Sequence, residues 1–159
     1  MSTNPTTISA PAGTPFVSVT RDFDATPAQL FRVQTDPALV AQWLGPRGLE
    51  MTIDEYDVRP GGRYRYVHKD EHGEYAFRGV FHTVEPDTLV IQTFEWEGAP
   101  GEVCLERARY HRTDTGVRLH TESVFPSVEA RDAAVQSGME HGINDSMDRL
   151  AELLAKGES

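Results

Sequence analysis

Two hydrophobic periods divide this chain, and the point where one gives way to the other limits the folds open to it. From Met51 to Phe125 apolar residues recur at every second position in six runs, the period of strands with one buried face. The runs are Met51–Val58, Arg63–His68, Tyr75–Glu85, Leu89–Glu97, Val103–Arg112 and Val117–Phe125. Turn residues separate them, notably Arg59-Pro60-Gly61-Gly62, Pro86-Asp87-Thr88 and Thr113-Asp114-Thr115-Gly116. After Pro126 the period becomes helical: Val135, Met139, Ile143, Met147, Leu150 and Leu154 fall on one stripe. Ser127 is the expected N-cap of one long helix running to about Lys156 and stopping at Gly157. Each stripe residue contributes roughly 1.5–3 kcal/mol when buried, enough together to anchor the helix to a sheet.

Before these runs, Phe16–Phe23 alternates as a first strand. Thr26-Pro27 opens a short helix through Leu30, Phe31 and Val33. Asp36-Pro37 opens a second through Val40, Trp43 and Leu44, which Gly45-Pro46 stops. The predicted fold class is α+β: about seven antiparallel strands, two short helices after strand 1 and a long C-terminal helix over one sheet face. Residues 1–14 read as a disordered tail and 15–157 as a single domain. A sheet curled around a helix leaves a groove or cavity between them.

The turns set registers. Arg112 opposite Val117 brings Tyr110 to Leu119, Ala108 to Thr121, Glu106 to Ser123 and Cys104 to Phe125. The other face then pairs Arg107 with Glu122 and Arg109 with His120 and faces water. Glu106 therefore lands on the inner face. It is either satisfied by Ser123 or Thr121, exposed by a register slip, or a polar anchor inside a pocket. In the preceding hairpin, Val84 opposite Leu89 brings Phe77 to Trp96 and Gly79 to Phe94. The face with Phe77, Phe81, Phe94 and Trp96 is the expected inner one, against a rival face with Val80, Val84, Leu89 and Ile91.

Composition excludes several function classes. Lys plus Arg is 15 and Asp plus Glu is 25, so the net charge is −10, the wrong sign for nucleic acid or anionic membrane. The one cysteine, Cys104, makes no internal disulfide and no thiolate cage. The N-terminus lacks the basic and apolar regions of a signal peptide, and no apolar run approaches a membrane span. A cytoplasmic location is expected. The six histidines have no metal-motif spacing, and no phosphate loop or nucleophile elbow is present, so no metal, cofactor or catalytic residue is assigned.

Thr35-Asp36-Pro37 with Trp43, Arg59-Pro60-Gly61-Gly62, Gly79-Val80 with Pro86 and Leu89-Val90 begin a recognisable order. Gly116-Val117-Arg118-Leu119 and Gly138-Met139-x-x-Gly142 with Arg149-Leu150 complete it. The chain resembles, over about residues 16–155, the family named after the activator of heat-shock-protein-90 ATPase. That family lies in the SRPBCC or START-like superfamily, which includes the birch-pollen-allergen-like proteins. The resemblance implies a helix-grip fold and a hydrophobic cavity between helix and sheet, with no shared catalytic motif. Many relatives carry a Gly-Trp step in the last helix where this chain reads His141-Gly142, so their ligands do not transfer.

The expected ligand-binding residues are Trp43, Tyr64, Tyr66, Phe77, Phe94, Trp96, Glu106, Thr121, Met139, Gly142, Ile143 and Met147. For the aromatics and methionines ordinary core packing is the competing reading. For Gly138 and Gly142 it is close packing or a small break in the helix. The leading functional expectation is a non-catalytic carrier or sensor of a small hydrophobic molecule. An enzyme of cyclase or hydrolase type using Glu106 is the alternative, and a chaperone-partner module a second one. A homodimer is left open.

Overall fold

The computed structural model describes residues 4–157. Strand β1 (Thr7–Ser9) and strand β2 (Phe16–Phe23) precede helices α1 (Pro27–Thr35) and α2 (Pro37–Val40). Strands β3 (Glu50–Tyr56), β4 (Arg63–Asp70), β5 (Gly73–Glu85), β6 (Leu89–Trp96), β7 (Cys104–Arg112) and β8 (Val117–Val124) follow, then helices α3 (Val128–Gln136) and α4 (Met139–Ala155). All strands pair antiparallel in one sheet ordered β1-β2-β8-β7-β6-β5-β4-β3. The short helices carry the chain from β2 to β3 at the opposite edge. This is the expected helix-grip arrangement with one strand more.

The short helices start where their capping residues stand. The Thr26 hydroxyl accepts from the Gln29 N–H, and the Gln29 side chain accepts from the Thr26 N–H, a reciprocal cap with Pro27 in the first turn. Asp36 ends α1 and caps α2 by accepting from the Ala38 N–H at 3.0 Å. Trp43 then turns under α1 and donates its indole N–H to the Val33 carbonyl at 2.8 Å. These segments bury Leu30, Val33, Leu39 and Trp43 in one cluster with Leu150 and Leu153 of α4 and Phe23, Val117 and Leu119 of the sheet.

Four expectations are corrected. The tail expected to be disordered contains β1, paired Thr7↔Thr20, Ile8↔Val19 and Ser9↔Ser18. Without it β2 would be an edge strand with unpaired backbone groups, and the β-branched Thr7-Ile8 is suited to cover it. Residues 1–3 of that tail lie outside the described residues.

The single long helix is two helices. Gly138 adopts φ +92, a left-handed conformation that interrupts the helical path between α3 and α4. Of the two readings of Gly138, the break is the one realised. Val135 consequently lies on α3, and the buried side of α4 runs Ser146, Met147, Leu150, Ala151 and Leu153.

The β5–β6 register holds at Phe77↔Trp96 and Arg78↔Glu95 but slips by one residue between Phe81 and Thr83. Beyond this bulge Val84 pairs with Val90 instead of Leu89. A one-residue slip exchanges faces, so Val84 packs against the core although alternation from Phe81 would turn it outward. The β7–β8 register follows the expected pairing from Arg112↔Val117 to Glu106↔Ser123, but the ladder ends at Leu105↔Val124. Cys104 pairs with Phe94 on β6.

Gly79 lies opposite Phe94 as expected, within the register from Phe77↔Trp96 to Phe81↔Gln92, and the ring of Tyr64, its pairing partner on β4, covers it. A Cβ at Gly79 would sit 2.5 Å from the Tyr64 ring and 2.1 Å from the Thr93 carbonyl oxygen. Glycine alone fits between them.

Buried arginines fasten the helices to β2. Arg21, on the inner face, donates to Asp148 of α4 at 2.7 Å, and Arg131 of α3 donates to the Phe16 carbonyl at 3.2 Å. Among the described residues no helix is long and apolar enough to cross a membrane.

Candidate functional site

A cavity of about 1140 Å³ lies between the concave sheet face and the helices α3 and α4, with residues 43–46 closing one side. Its position follows from the sheet's alternation. Tyr64, Tyr66 and His68 occupy successive inward positions of β4, and Phe77 and Phe81 flank the inward Gly79 on β5. Gln92, Phe94 and Trp96 continue on β6, and Cys104, Glu106, Ala108 and Tyr110 on β7.

Every expected ligand-binding residue borders this cavity. Tyr64, Tyr66, Phe77, Phe94, Trp96, Glu106 and Thr121 come from the sheet. Met139, Gly142, Ile143 and Met147 come from α4, and Trp43 from the segment after α2. The competing core reading holds for part of this set: Trp43, Tyr64, Tyr66 and Met147 also belong to the buried core.

The sheet wall is largely aromatic. Tyr64 and Tyr66 stack with ring centroids 6.1 Å apart, Tyr66 and Phe77 lie 5.3 Å apart, and Phe77 stacks on Phe94 at 5.3 Å. Phe81 packs on both Tyr56 and Tyr64. At one end Gln34 of α1 gathers two hydroxyls: Tyr110 donates to its side-chain oxygen and Tyr56 to its carbonyl. Tyr64 donates to the Thr93 carbonyl at 2.6 Å. The Tyr66 hydroxyl has no protein partner among the described residues.

A polar row crosses this apolar wall. Gln92 pairs with Glu106, Glu106 with Ser123, and Ser123 with Val17. The Ser123 hydroxyl donates to Glu106 Oε2 at 3.1 Å, while Oε1 has no partner among the described residues. Burial pushes the Glu106 carboxyl above the usual carboxylate range, and the serine hydrogen bond only partly opposes it. Burial, with the nearby Glu106 charge, pushes the hydroxyls of Tyr56, Tyr64 and Tyr66 up as well. The side chain surface that Glu106 retains faces the cavity.

The remaining reactive residue types are quiet. Burial pushes the Cys104 thiol up to about 12, so it stays protonated and non-nucleophilic. His68 is buried against Gly45, and desolvation lowers its pKa, which leaves a neutral ring. Among the described residues no group of three His, Cys, Asp or Glu is placed to hold a metal ion.

Gln92, Tyr56, His68 and Tyr110 also border the cavity and were not expected there. His68 was legible: it continues the inward positions of Tyr64 and Tyr66 two residues on. Gln92 was legible in the same way, two residues before Phe94 on β6. A smaller depression of about 370 Å³ lies over the start of α1 and the β7–β8 turn. Asp24, Thr26, Gln29, Arg112 and Asp114 line it, and it has no aromatic wall.

The family described as Activator of Hsp90 ATPase homolog 1-like protein matches residues 24–155. A crystal structure of a protein from Rhodobacter sphaeroides is similar at 27% identity and a TM-score of 0.87, over 96% of this chain and 99% of that one. A protein from Mycobacterium smegmatis gives 22% identity and a TM-score of 0.85, over 94% and 97%. One from Arthrobacter aurescens gives 20% identity and a TM-score of 0.86, over 94% and 91%. The latter two likenesses concern the fold alone. A search of the curated proteins finds no match.

Proposed function

The chain belongs to the Activator of Hsp90 ATPase homolog 1-like family, and from that premise we propose that it is a non-catalytic carrier or sensor of a small hydrophobic molecule. The observation that carries this reading is the cavity of about 1140 Å³, walled by Tyr64, Tyr66, Phe77 and Phe94 and roofed by Met139, Ile143 and Met147. That volume is at or above the upper end of small-molecule pockets, which run to about 1,000 Å³. Flexible methionines on the roof let it follow differently shaped guests. The net charge of −10 supports a soluble cytoplasmic setting and argues against nucleic acid or anionic membrane as partner.

Native mass spectrometry of the protein purified from its own host tests the reading, and reports at once whether it is a monomer or a homodimer. A co-purifying small molecule at one per chain is expected. Release of no molecule, together with no one-to-one binding of the neutral apolar dye Nile red, overturns it.

A second reading is favoured by Glu106, an inward carboxyl with raised proton affinity beside tyrosine hydroxyls. It makes the cavity an active site of cyclase or hydrolase type, with Glu106 moving a proton on a substrate held in shape. Turnover of the co-purified molecule that Glu106→Gln abolishes would establish it. The family description also brings a chaperone-partner reading, which stimulation of a heat-shock protein 90 ATPase by the purified chain would support.

A further inference from the structure

The charge around the cavity is one-sided. Glu102, Glu106 and Glu129 border it, and no lysine or arginine does. Three arginines on the elements around it are committed elsewhere. Arg149 donates to the carbonyls of Gln42, Gly45 and Pro46, Arg21 to Asp148, and Arg131 to Asp132 and the Phe16 carbonyl. Arg65 and Arg78, on the outward face of the sheet, are held by Glu97, Asp54 and Glu95. A carboxylate or phosphate head group entering this cavity would find no lysine or arginine and three acidic neighbours.

A ligand with a positive head group meets the opposite situation. Glu106 Oε1 faces the cavity without a protein partner, and a buried carboxylate is strongly stabilised by a cation that supplies both charge and hydrogen bond. The wall around it presents aromatic rings, whose negative faces attract cations. Trp96, about half exposed, stands at the mouth with Glu102 and Glu129, which attract cations from solution. A neutral hydroxyl would satisfy Oε1 but leave the carboxylate charge uncompensated.

Resting on the reading of this cavity as a ligand pocket, we propose that its natural guest is a lipophilic amine: an apolar, ring-containing body with a protonated ammonium group seated on Glu106 Oε1.

Three matched probes test this by fluorescence titration at neutral pH: 1-pyrenemethylamine as its ammonium form, the neutral 1-pyrenemethanol and anionic 1-pyrenecarboxylate. The ammonium should bind at least about tenfold tighter than the alcohol, and the carboxylate weakest of all. Glu106→Gln should abolish the advantage of the ammonium over the alcohol, bringing their affinities to within about twofold of each other. Equal or tighter binding of the alcohol or the carboxylate by the wild-type protein overturns the proposal while the ligand-pocket reading stands. An ammonium preference that survives in a folded Glu106→Gln overturns it too. Binding of no probe overturns both readings. If the variant does not fold, the wild-type ranking decides.

Discussion

Ser123 and Glu106 face each other across β7 and β8, and the serine hydroxyl donates to Oε2 at 3.1 Å while Oε1 is left to the cavity. One neutral hydroxyl does not replace the water that an ionised carboxylate loses on burial, so the native state holds the Glu106 proton more tightly than the unfolded chain does. The sign follows from proton linkage. Below the unfolded carboxyl value both states are protonated and no penalty arises; as pH rises through the raised native value, the native state loses stability relative to the unfolded state. Glu106→Gln keeps an acceptor for Ser123 and removes the titration. The variant should gain on the wild type as pH goes from about 4 to about 8, read as the difference in urea midpoints. A difference that stays constant over that range contradicts the burial of this carboxylate.

Gly45 and His68 form a second tight relationship. Gly45 has φ +99, and a Cβ placed on it would lie 2.4 Å from Cε1 and 2.7 Å from Nε2 of the buried imidazole. The segment that closes one side of the cavity can therefore pass over β4 only as glycine. Gly45→Ala should destabilise by about 2–4 kcal/mol, the sum of a left-handed backbone penalty and overpacking. Adding His68→Ala should recover the overpacking part, and a double-mutant cycle of urea unfolding measures that coupling. Independent, additive effects would mean the two residues do not touch.

What could be read from the chain in advance follows the same physics. Two-residue alternation sorted each strand into two faces, and on β5 and β6 the aromatic face was expected inward against an aliphatic rival; Phe77, Phe94, Glu106 and Thr121 do border one space. Hairpin turns set the β7–β8 register down to Glu106↔Ser123. Local events that break a period were legible only in part, a small break at Gly138 or Gly142 being one of the readings open and the β5 bulge not being foreseen. The β5 bulge near His82 turned Val84 to the core, and Gly138 split a helix whose apolar stripe runs on through the break. The β1 strand was hidden because three residues, Thr7–Ser9, are too few to show a period among Pro, Gly and Ala. Long-range partners of polar residues, such as Gln34 with Tyr110, left no mark in the local sequence.

Gly138 and Gly142 lie four residues apart and should respond to alanine in opposite directions. Gly138 has φ +92 with open space where a Cβ would go, so Gly138→Ala meets only the backbone penalty, about 1–2 kcal/mol destabilising. Gly142 lies within α4, where a Cβ would stand at an ordinary 3.6 Å from Pro46 Cγ. Gly142→Ala should stabilise by about 0.5–1 kcal/mol through helix propensity. Thermal unfolding of the pair checks both signs, and two shifts in the same direction would contradict the break at Gly138.

Cys104 offers a chemical probe of the cavity floor. Its thiol is buried and pushed up to about 12, so little thiolate exists near neutral pH. Iodoacetamide at about pH 8 should leave the native protein unmodified and label it fully in urea. Rapid labelling of the folded protein at the rate of a free thiol would show that β7 opens here.

Arg21 and Asp148 tie β2 to α4 over 2.7 Å, with the arginine only 5% exposed and the aspartate 57% exposed. The guanidinium also stands 5.5 Å from the Phe23 ring centroid and donates to Thr6 at 3.1 Å. Its Nε has no partner, so Asp148 is its only carboxylate among the described residues. Removing that carboxylate leaves a buried cation without a counter-charge, which is worse than removing both groups. Solvent access at Asp148 moderates the loss, so Asp148→Asn should destabilise by about 1–2 kcal/mol in urea unfolding at low salt. Arg21→Met, which removes the charge and keeps the apolar stem, should be milder than Asp148→Asn. The reverse ranking would mean that Arg21 acts through its contacts with Thr6 and Phe23 rather than by pinning α4.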